Sequence, residues 1–248
     1  MELRNTERFT GRAQAYDLSR PDYPAEALAC IRRECGLAHG ALAADVGAGT
    51  GKLTRMLLAE GYDVCAVEPN AAMLEALRAR LGGHPGLRIV AAPAEATTLP
   101  DRSIDVITAA QAFHWFDRAA CKLEFTRILR PGGRVALLWN NRDRHTPLAR
   151  EHGELMLQYR VREAVSLEKP QDIYASFFRS HEIFRFAHTQ RLDLAALLAL
   201  TFSRSYSPAP GDPEYAPLVA SVKELFAKYQ YDGTVDYCYR TAVVIGRM

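Results

Sequence analysis

The stretch that most constrains the fold runs Ala41-Leu42-Ala43-Ala44-Asp45-Val46-Gly47-Ala48-Gly49-Thr50-Gly51. Its first half is small or apolar apart from Asp45, the composition of a central parallel strand covered on both faces. Glycines then stand at alternate positions, and Leu53, Met56 and Leu57 follow at helical spacing. Strand, glycine turn and helix in succession make a nucleotide-binding architecture. Glycine lets the main chain turn sharply and lets a ligand lie against bare backbone.

The pattern discriminates among nucleotides. The dinucleotide fingerprint G-x-G-x-x-G needs a glycine at 52, where Lys52 stands. The phosphate loop G-x-x-x-x-G-K-[ST] needs a glycine at 46 and a hydroxyl at 53, where Val46 and Leu53 stand. What remains is an acidic strand end, Asp45, followed by G-x-G-x-G. This resembles motif I of the class I S-adenosylmethionine (SAM)-dependent methyltransferases. The ligand's amino group and sulfonium are cationic, so a carboxylate at Asp45 suits its methionine end. The resemblance implies that Gly47, Ala48, Gly49, Thr50 and Gly51 form the bed. Glu68 closes the next strand, where a carboxylate can accept both ribose hydroxyls. Pro69 and Met73 stand just beyond it, although Met73 also fits the core face of the following helix.

Further segments agree in order. Ala92-Pro93-Ala94-Glu95-Ala96, with Leu99-Pro100 after it, resembles the segment that touches adenine in this family, which implies Ala94 and Glu95 as contacts. A backbone amide beside a carboxylate supplies the donor and acceptor that adenine needs. A β-branched strand over 103–109 leads into Gln111-Ala112-Phe113-His114-Trp115-Phe116-Asp117, similar to the Q-A-x-H-W-F-D of a small-molecule subgroup. In an open α/β sheet the loops beyond the strands' carboxyl ends carry the site. His114 and Trp115 are therefore expected near the methyl group and the substrate, and Gln111 and Ala112 beside the cofactor. Three roles are open for His114: general base, a donor that orients the acceptor, or a helix-start cap, with orientation preferred over base chemistry. Phe9, Tyr16, Arg20, Pro21, Tyr23 and Pro24 resemble the N-terminal lid of the same subgroup, which implies that Tyr16 and Arg20 touch SAM or substrate. The other reading is that the prolines only anchor this arm.

The resemblance implies an α/β fold, a Rossmann-like doubly wound sheet of seven strands in the order 3-2-1-4-5-7-6, mostly parallel with an antiparallel last strand. Residues 1–248 are expected to form one methyltransferase domain: a lid over 1–24, a SAM-binding core over 25–139, and helical cap insertions over 141–182 and 193–232 that choose the substrate. Periodicity predicts helices over 25–36, 52–60, 70–81, 117–129, 148–165, 194–201 and 214–229. Strands are predicted over 63–67, 87–91, 134–139, 184–192 and 235–246, with Arg130-Pro131-Gly132-Gly133 as the turn before the fifth strand. Tyr16, Tyr23, Phe113 and Trp115 are expected to close an aromatic lid, and Arg20, Arg142, Arg144 and Arg204 to be available to an acidic acceptor. The motif set resembles the branch that contains trans-aconitate methyltransferases, which implies a small acid methylated at oxygen.

Composition excludes other classes. With 31 basic and 29 acidic side chains, a net charge of +2 gives no push toward nucleic acid. The 5 cysteines have no metal spacing and read as reduced thiols, so no metal is expected. The first residues are too charged for a signal peptide, and no apolar run approaches a membrane span. A cytoplasmic protein, monomer or homodimer, acting on a small-molecule acceptor and releasing S-adenosylhomocysteine is expected. Two other readings stand beside it: an NAD-dependent oxidoreductase on the same sheet, against which Lys52 argues, and a non-catalytic SAM-binding protein.

Overall fold

The computed structural model describes residues 21–161, 170–204 and 206–248. Phe9, Tyr16 and Arg20 lie outside the described residues. In chain order the elements are α1 (Ala25–Cys35), β1 (Leu42–Val46), α2 (Lys52–Ala59), β2 (Asp63–Val67), α3 (Ala71–Leu81), β3 (Leu87–Val90) and β4 (Ile104–Ala110). A 3-10 turn over Phe113–Trp115 leads to α4 (Arg118–Ile128) and β5 (Leu129–Arg142). Then come α5 (Pro147–Gln158), α6 (Pro170–Phe177), β6 (Ser180–Leu192), α7 (Leu194–Phe202), α8 (Tyr215–Tyr229) and β7 (Val235–Arg247).

The sheet order is β3-β2-β1-β4-β5-β7-β6, as the resemblance implied. β1 pairs in parallel with β2 and β4, so the glycine turn leaves from the middle of the sheet. β7 is antiparallel to both β5 and β6. Two corrections concern element bounds. The fifth strand begins at Leu129 rather than at Arg134. Leu129 pairs with Ile104 and Arg134 with Val106, so Pro131-Gly132-Gly133 forms a bulge inside the strand. Helix α6 was missing from the sequence reading, and α5 stops at Gln158, short of the predicted 165.

Three buried clusters hold the layers. One face of the sheet packs Val46, Val67, Ile107 and Leu137 against Phe125 and Ile128 of α4 and Tyr174 and Phe177 of α6. The other packs Ala43, Val64, Val106 and Leu138 against α1 and α2, with Tyr23 included. The third joins α5, α7 and α8 over the end of the sheet where β6 ends and β7 begins, through Leu148, Leu197, Leu218 and Tyr237. The aromatic cluster at 173–178, expected in a cap, thus belongs to the sheet's first face. Helix starts are set by side chains: Asn70 accepts from Met73 N–H, Asp117 from Ala119 and Ala120 N–H, and Asp193 from Ala196 N–H. All five cysteines are free. Among the described residues no helix is long and apolar enough to cross a membrane. Nor do they contain a group of three or more side chains able to hold a metal ion.

Candidate active site

The turn after β1 is tied down by its neighbours. Gly47 and Ala48 N–H both donate to the Val67 carbonyl, at 2.8 and 3.1 Å, which pins the turn to the end of β2. Gly47, Gly49 and Gly51 all have φ in the left-handed region, at 71°, 58° and 82°. Their surroundings separate them. A Cβ on Gly47 would stand 2.5 Å from the Ala112 Cβ, and one on Gly51 about 3.0 Å from Leu81 and 3.1 Å from Leu77. A Cβ on Gly49 would meet nothing within 4 Å. Packing therefore accounts for the outer glycines, whereas the middle one presents bare backbone to open space.

Two buried carboxylates flank that glycine. Asp45, at 1% exposure, accepts from Thr54 Oγ1 at 2.6 Å and Thr108 Oγ1 at 3.0 Å. Burial pushes its pKa up to about 6, and the hydroxyl bonds only partly offset this. Glu68 bridges the turn to the next helix: Oε2 accepts from Gly49 N–H at 3.0 Å and Oε1 from Asn70 N–H at 2.9 Å. Burial raises its pKa, against the pull of these two backbone donors. Each carboxylate oxygen has two acceptor sites, so Glu68 retains capacity for further hydroxyl donors.

A cleft enclosing about 630 Å³ of space, part of it open to solvent, runs along the turn. Asp45, Gly47, Ala48, Gly49 and Thr50 form its floor, with Lys52 and Leu53 at the start of α2. Gln111 and Asn140 line it from the ends of β4 and β5, Tyr239 from β7, Leu200 from α7 and Arg204 from just beyond that helix. Pro21 and Tyr23 also line it. Asn140 holds them there by donating to the Pro21 and Asp22 carbonyls at 3.4 and 3.3 Å, while Asp22 pairs with Lys52 and Arg55 of α2. Gln111 has φ of 56°, a conformation that is strained for a residue with a side chain and recurs at functional sites. Its N–H donates to the Leu138 carbonyl at 2.9 Å, which holds that geometry.

Several residues named from sequence stand elsewhere. Gly51 packs against α3 rather than facing the cleft. Pro69 is exposed, and Met73 and Ala94 are buried and do not line this cleft. Ala112 is the wall against Gly47. Glu95 accepts from Asp117 N–H at 2.7 Å, joining its loop to the start of α4. That loop is also held by Glu124, which accepts from Thr97 N–H at 2.8 Å. Burial would raise the Glu124 pKa, but the Arg127 guanidinium and the Thr97 donors outweigh it and hold the carboxyl below its ordinary value.

One expectation for the 111–117 segment is corrected, that Phe113 joins an aromatic lid. The segment's 3-10 turn drives Phe113 inward, where it is 2% exposed and meets Phe177 edge-on at 4.7 Å. Phe113 is thus core and not part of a lid. His114 is consequently exposed, with the Trp115 ring 4.7 Å away, and Gln111 is the residue of this segment that lines the cleft. Sequence reasoning missed Thr54, Thr108, Asn140 and Tyr239 as parts of this region. Only Asn140 had a local signal, a polar residue directly after an apolar strand.

A methyltransferase domain model matches residues 44–137, which contain the turn, Glu68 and the 111–117 segment. An uncharacterized methyltransferase of Mycobacterium tuberculosis (strain H37Rv) is 39% identical over 211 residues, covering 81% of this chain and 79% of that protein. The chain belongs to the class I SAM-dependent methyltransferases. A solved structure from Anaeromyxobacter dehalogenans, assigned there to the type II methyltransferases, is 26% identical with a TM-score of 0.64, covering 92% of this methyltransferase and 97% of that chain. A malonyl-[acyl-carrier protein] O-methyltransferase of Methylococcus capsulatus is 39% identical over 95 residues, 37% of this chain and 34% of its own. The matched domain ends at residue 137, within β5, so α5–α8 and the strands β6 and β7 lie outside it.

Proposed function

We propose that the cleft binds SAM with its methionine end over Gly47–Gly49 beside Asp45 and its ribose at Glu68, and that the protein methylates an oxygen of a small-molecule acceptor. The observation that carries this reading is Gly49, whose bare backbone faces the cleft between two buried carboxylates. Asp45 matches a cationic amino group, and Glu68 keeps acceptor capacity for vicinal hydroxyls. Ala94 and Glu95 are assigned to the adenine end, with Pro69, Met73 and Ala112 as apolar walls. The cofactor supplies an activated methyl group on a sulfonium. The chain's task is to hold the acceptor in line with that group and keep water out, which is worth about 7–11 kcal/mol in well-oriented systems. Tyr16 and Arg20, which lie outside the described residues, are assigned as contacts to SAM or the acceptor on the resemblance of residues 1–24 to the family's N-terminal segment. The helices over 193–232, together with α5, are assigned as the acceptor-selecting cap. The relative named as a malonyl-[acyl-carrier protein] O-methyltransferase supports oxygen as the acceptor atom, over the shared core alone.

The test is thermal unfolding with SAM, S-adenosylhomocysteine or NAD. A ligand at about 100 times its dissociation constant adds roughly 2.7 kcal/mol of stability. A rise with the first two and none with NAD is expected; a rise with NAD alone defeats the assignment.

His114 and Trp115 are given positioning roles at the cleft's outer edge. Replacing His114 with asparagine is expected to lower kcat/KM about tenfold, below the 10²–10⁴ that general base catalysis typically contributes. A pH–rate profile of the variant checks this. A larger fall, with loss of the limb governed by a histidine-like pKa, reassigns His114 as the base.

A further inference from the structure

Asn140 joins three parts of the cleft. It stands near the end of β5 and pairs with Thr241 of β7, so the two side chains share one face of the sheet. Tyr239, two residues before Thr241, is on that face too and lines the cleft with Asn140. Thr241 is fully buried, and its Oγ1 donates to Asn140 Oδ1 at 2.6 Å.

The neighbours decide which way the amide points. Its other end faces two main-chain carbonyls, of Pro21 and Asp22, at 3.4 and 3.3 Å. A carbonyl can only accept, so the atom that faces them is Nδ2, and Oδ1 is left for the Thr241 hydroxyl. The opposite orientation would set an amide oxygen against two carbonyl oxygens. Asn140 thus makes one short bond into the sheet and two long ones to the segment 21–23. Its own carbonyl accepts from Gln111 Nε2 at 3.4 Å. Pro21, Tyr23 and Gln111 all line the cleft.

The segment 21–23 is held from the cofactor side as well. Asp22 pairs with Arg55 at 2.7 Å and with Lys52 at 3.4 Å, both on α2, the helix that Gly51 caps. The Asp22 side chain is half-exposed, so these pairs are screened and contribute little by themselves. The Asn140 amide, backed by a buried hydroxyl, is the anchor that the sheet itself orients.

We propose that Asn140 is a positioning residue for the cofactor, acting through the segment 21–23 and the Gln111 side chain, with Thr241 fixing the amide. The proposal deepens the reading of the cleft as a SAM site and rests on it. The bonds to the two carbonyls are at the long end of the hydrogen-bond range, so an effect of about tenfold is expected rather than a loss of binding.

The test is calorimetric titration of S-adenosylhomocysteine into the parent, Asn140→Ala, Thr241→Val and the double variant, with urea unfolding of each free protein alongside. Thr241→Val nearly keeps the shape of the side chain and removes the hydroxyl that orients the amide. Each single variant is expected to weaken binding about tenfold and the double variant no further, because both remove one device. Thr241→Ser, which keeps the hydroxyl, should bind close to the parent. Free variants that lose stability with unchanged affinity overturn the proposal and make Asn140 and Thr241 a purely structural pair. Losses of affinity that add in the double variant also overturn it, since Thr241 would then not act through Asn140. Should Asn140→Ala fail to fold, the contrast between Thr241→Val and Thr241→Ser decides the matter: equal affinity in the two overturns the proposal. The two readings separate cleanly. A parent that binds S-adenosylhomocysteine, with variants that bind it equally well, removes the proposal alone. A parent that does not bind it removes the cofactor assignment and the proposal with it.

Discussion

Gly47→Ala is expected to destabilise the free protein by about 2–5 kcal/mol, whereas Gly49→Ala is expected to cost only about 1–2 kcal/mol and yet abolish cofactor binding. Both glycines have left-handed φ, and a Cβ there costs roughly 1–2 kcal/mol. At Gly47 an overpacking cost of about 1–3 kcal/mol adds to it. The new Cβ would sit 2.5 Å from the Ala112 Cβ and 3.2 Å from the Phe116 ring, and neither atom lies at the end of a flexible chain. At Gly49 there is no such clash, and the methyl would instead occupy the space assigned to the ligand. Urea unfolding of both variants, with and without S-adenosylhomocysteine, checks the contrast. If Gly49→Ala keeps the ligand-induced stabilisation, the open face of the turn is not a binding surface.

Asp45→Asn should leave the free protein as stable as the parent or more stable at neutral pH, while weakening S-adenosylhomocysteine at least tenfold. The sign follows from proton linkage. The folded pKa of about 6 lies above the ordinary aspartate value of 3.8, so the native state holds the extra proton between these limits. Stability contributed by this group is therefore greatest at low pH and is lost as pH rises from about 4 to 6. The loss is on the order of 3 kcal/mol at about 1.4 kcal/mol per unit. Asparagine removes that slope. Ligand binding runs the other way. A cationic amino group favours the ionised carboxylate, so affinity in the parent should fall as pH drops below about 6. Denaturation curves and calorimetry from pH 4 to 8 test both halves. If the variant is less stable than the parent by more than about 1 kcal/mol at pH 7, the Asp45 carboxylate is chiefly a partner for Thr54 and Thr108.

Much of the frame was legible along the chain. Asp45 and Glu68 stand at the ends of consecutive strands, and two nucleotide classes are excluded by particular residues, one by Lys52 and the other by Val46 and Leu53. Helix caps at Asn70 and Asp117 could be read because capping joins neighbours two or three residues apart. The bulge at Pro131-Gly132-Gly133 was read as a turn, because glycine and proline punctuate either feature and only pairing with β4 distinguishes them. The inward turn of Phe113 was also hidden. A run such as Phe113-His114-Trp115-Phe116 has no period long enough to say which ring is buried, and α6, which receives Phe113, lies far along the chain.

The sequence by itself determined the glycine turn and the acidic residues near the ends of β1 and β2, and its family resemblance implied the order of the sheet. The turn is written in local residue pattern, whereas strand order is not a local property. The tertiary structure alone decided what those groups touch. Thr108 reaches Asp45 across 63 residues, and Tyr237 reaches His152 across 85. Such pairs leave no local pattern, because the free energy that brings them together comes from burying apolar faces elsewhere. Which polar side chains then meet depends on the register of β4, β5 and β7. The cleft floor was therefore readable before the fold, and Asn140 and Tyr239 of its wall were not.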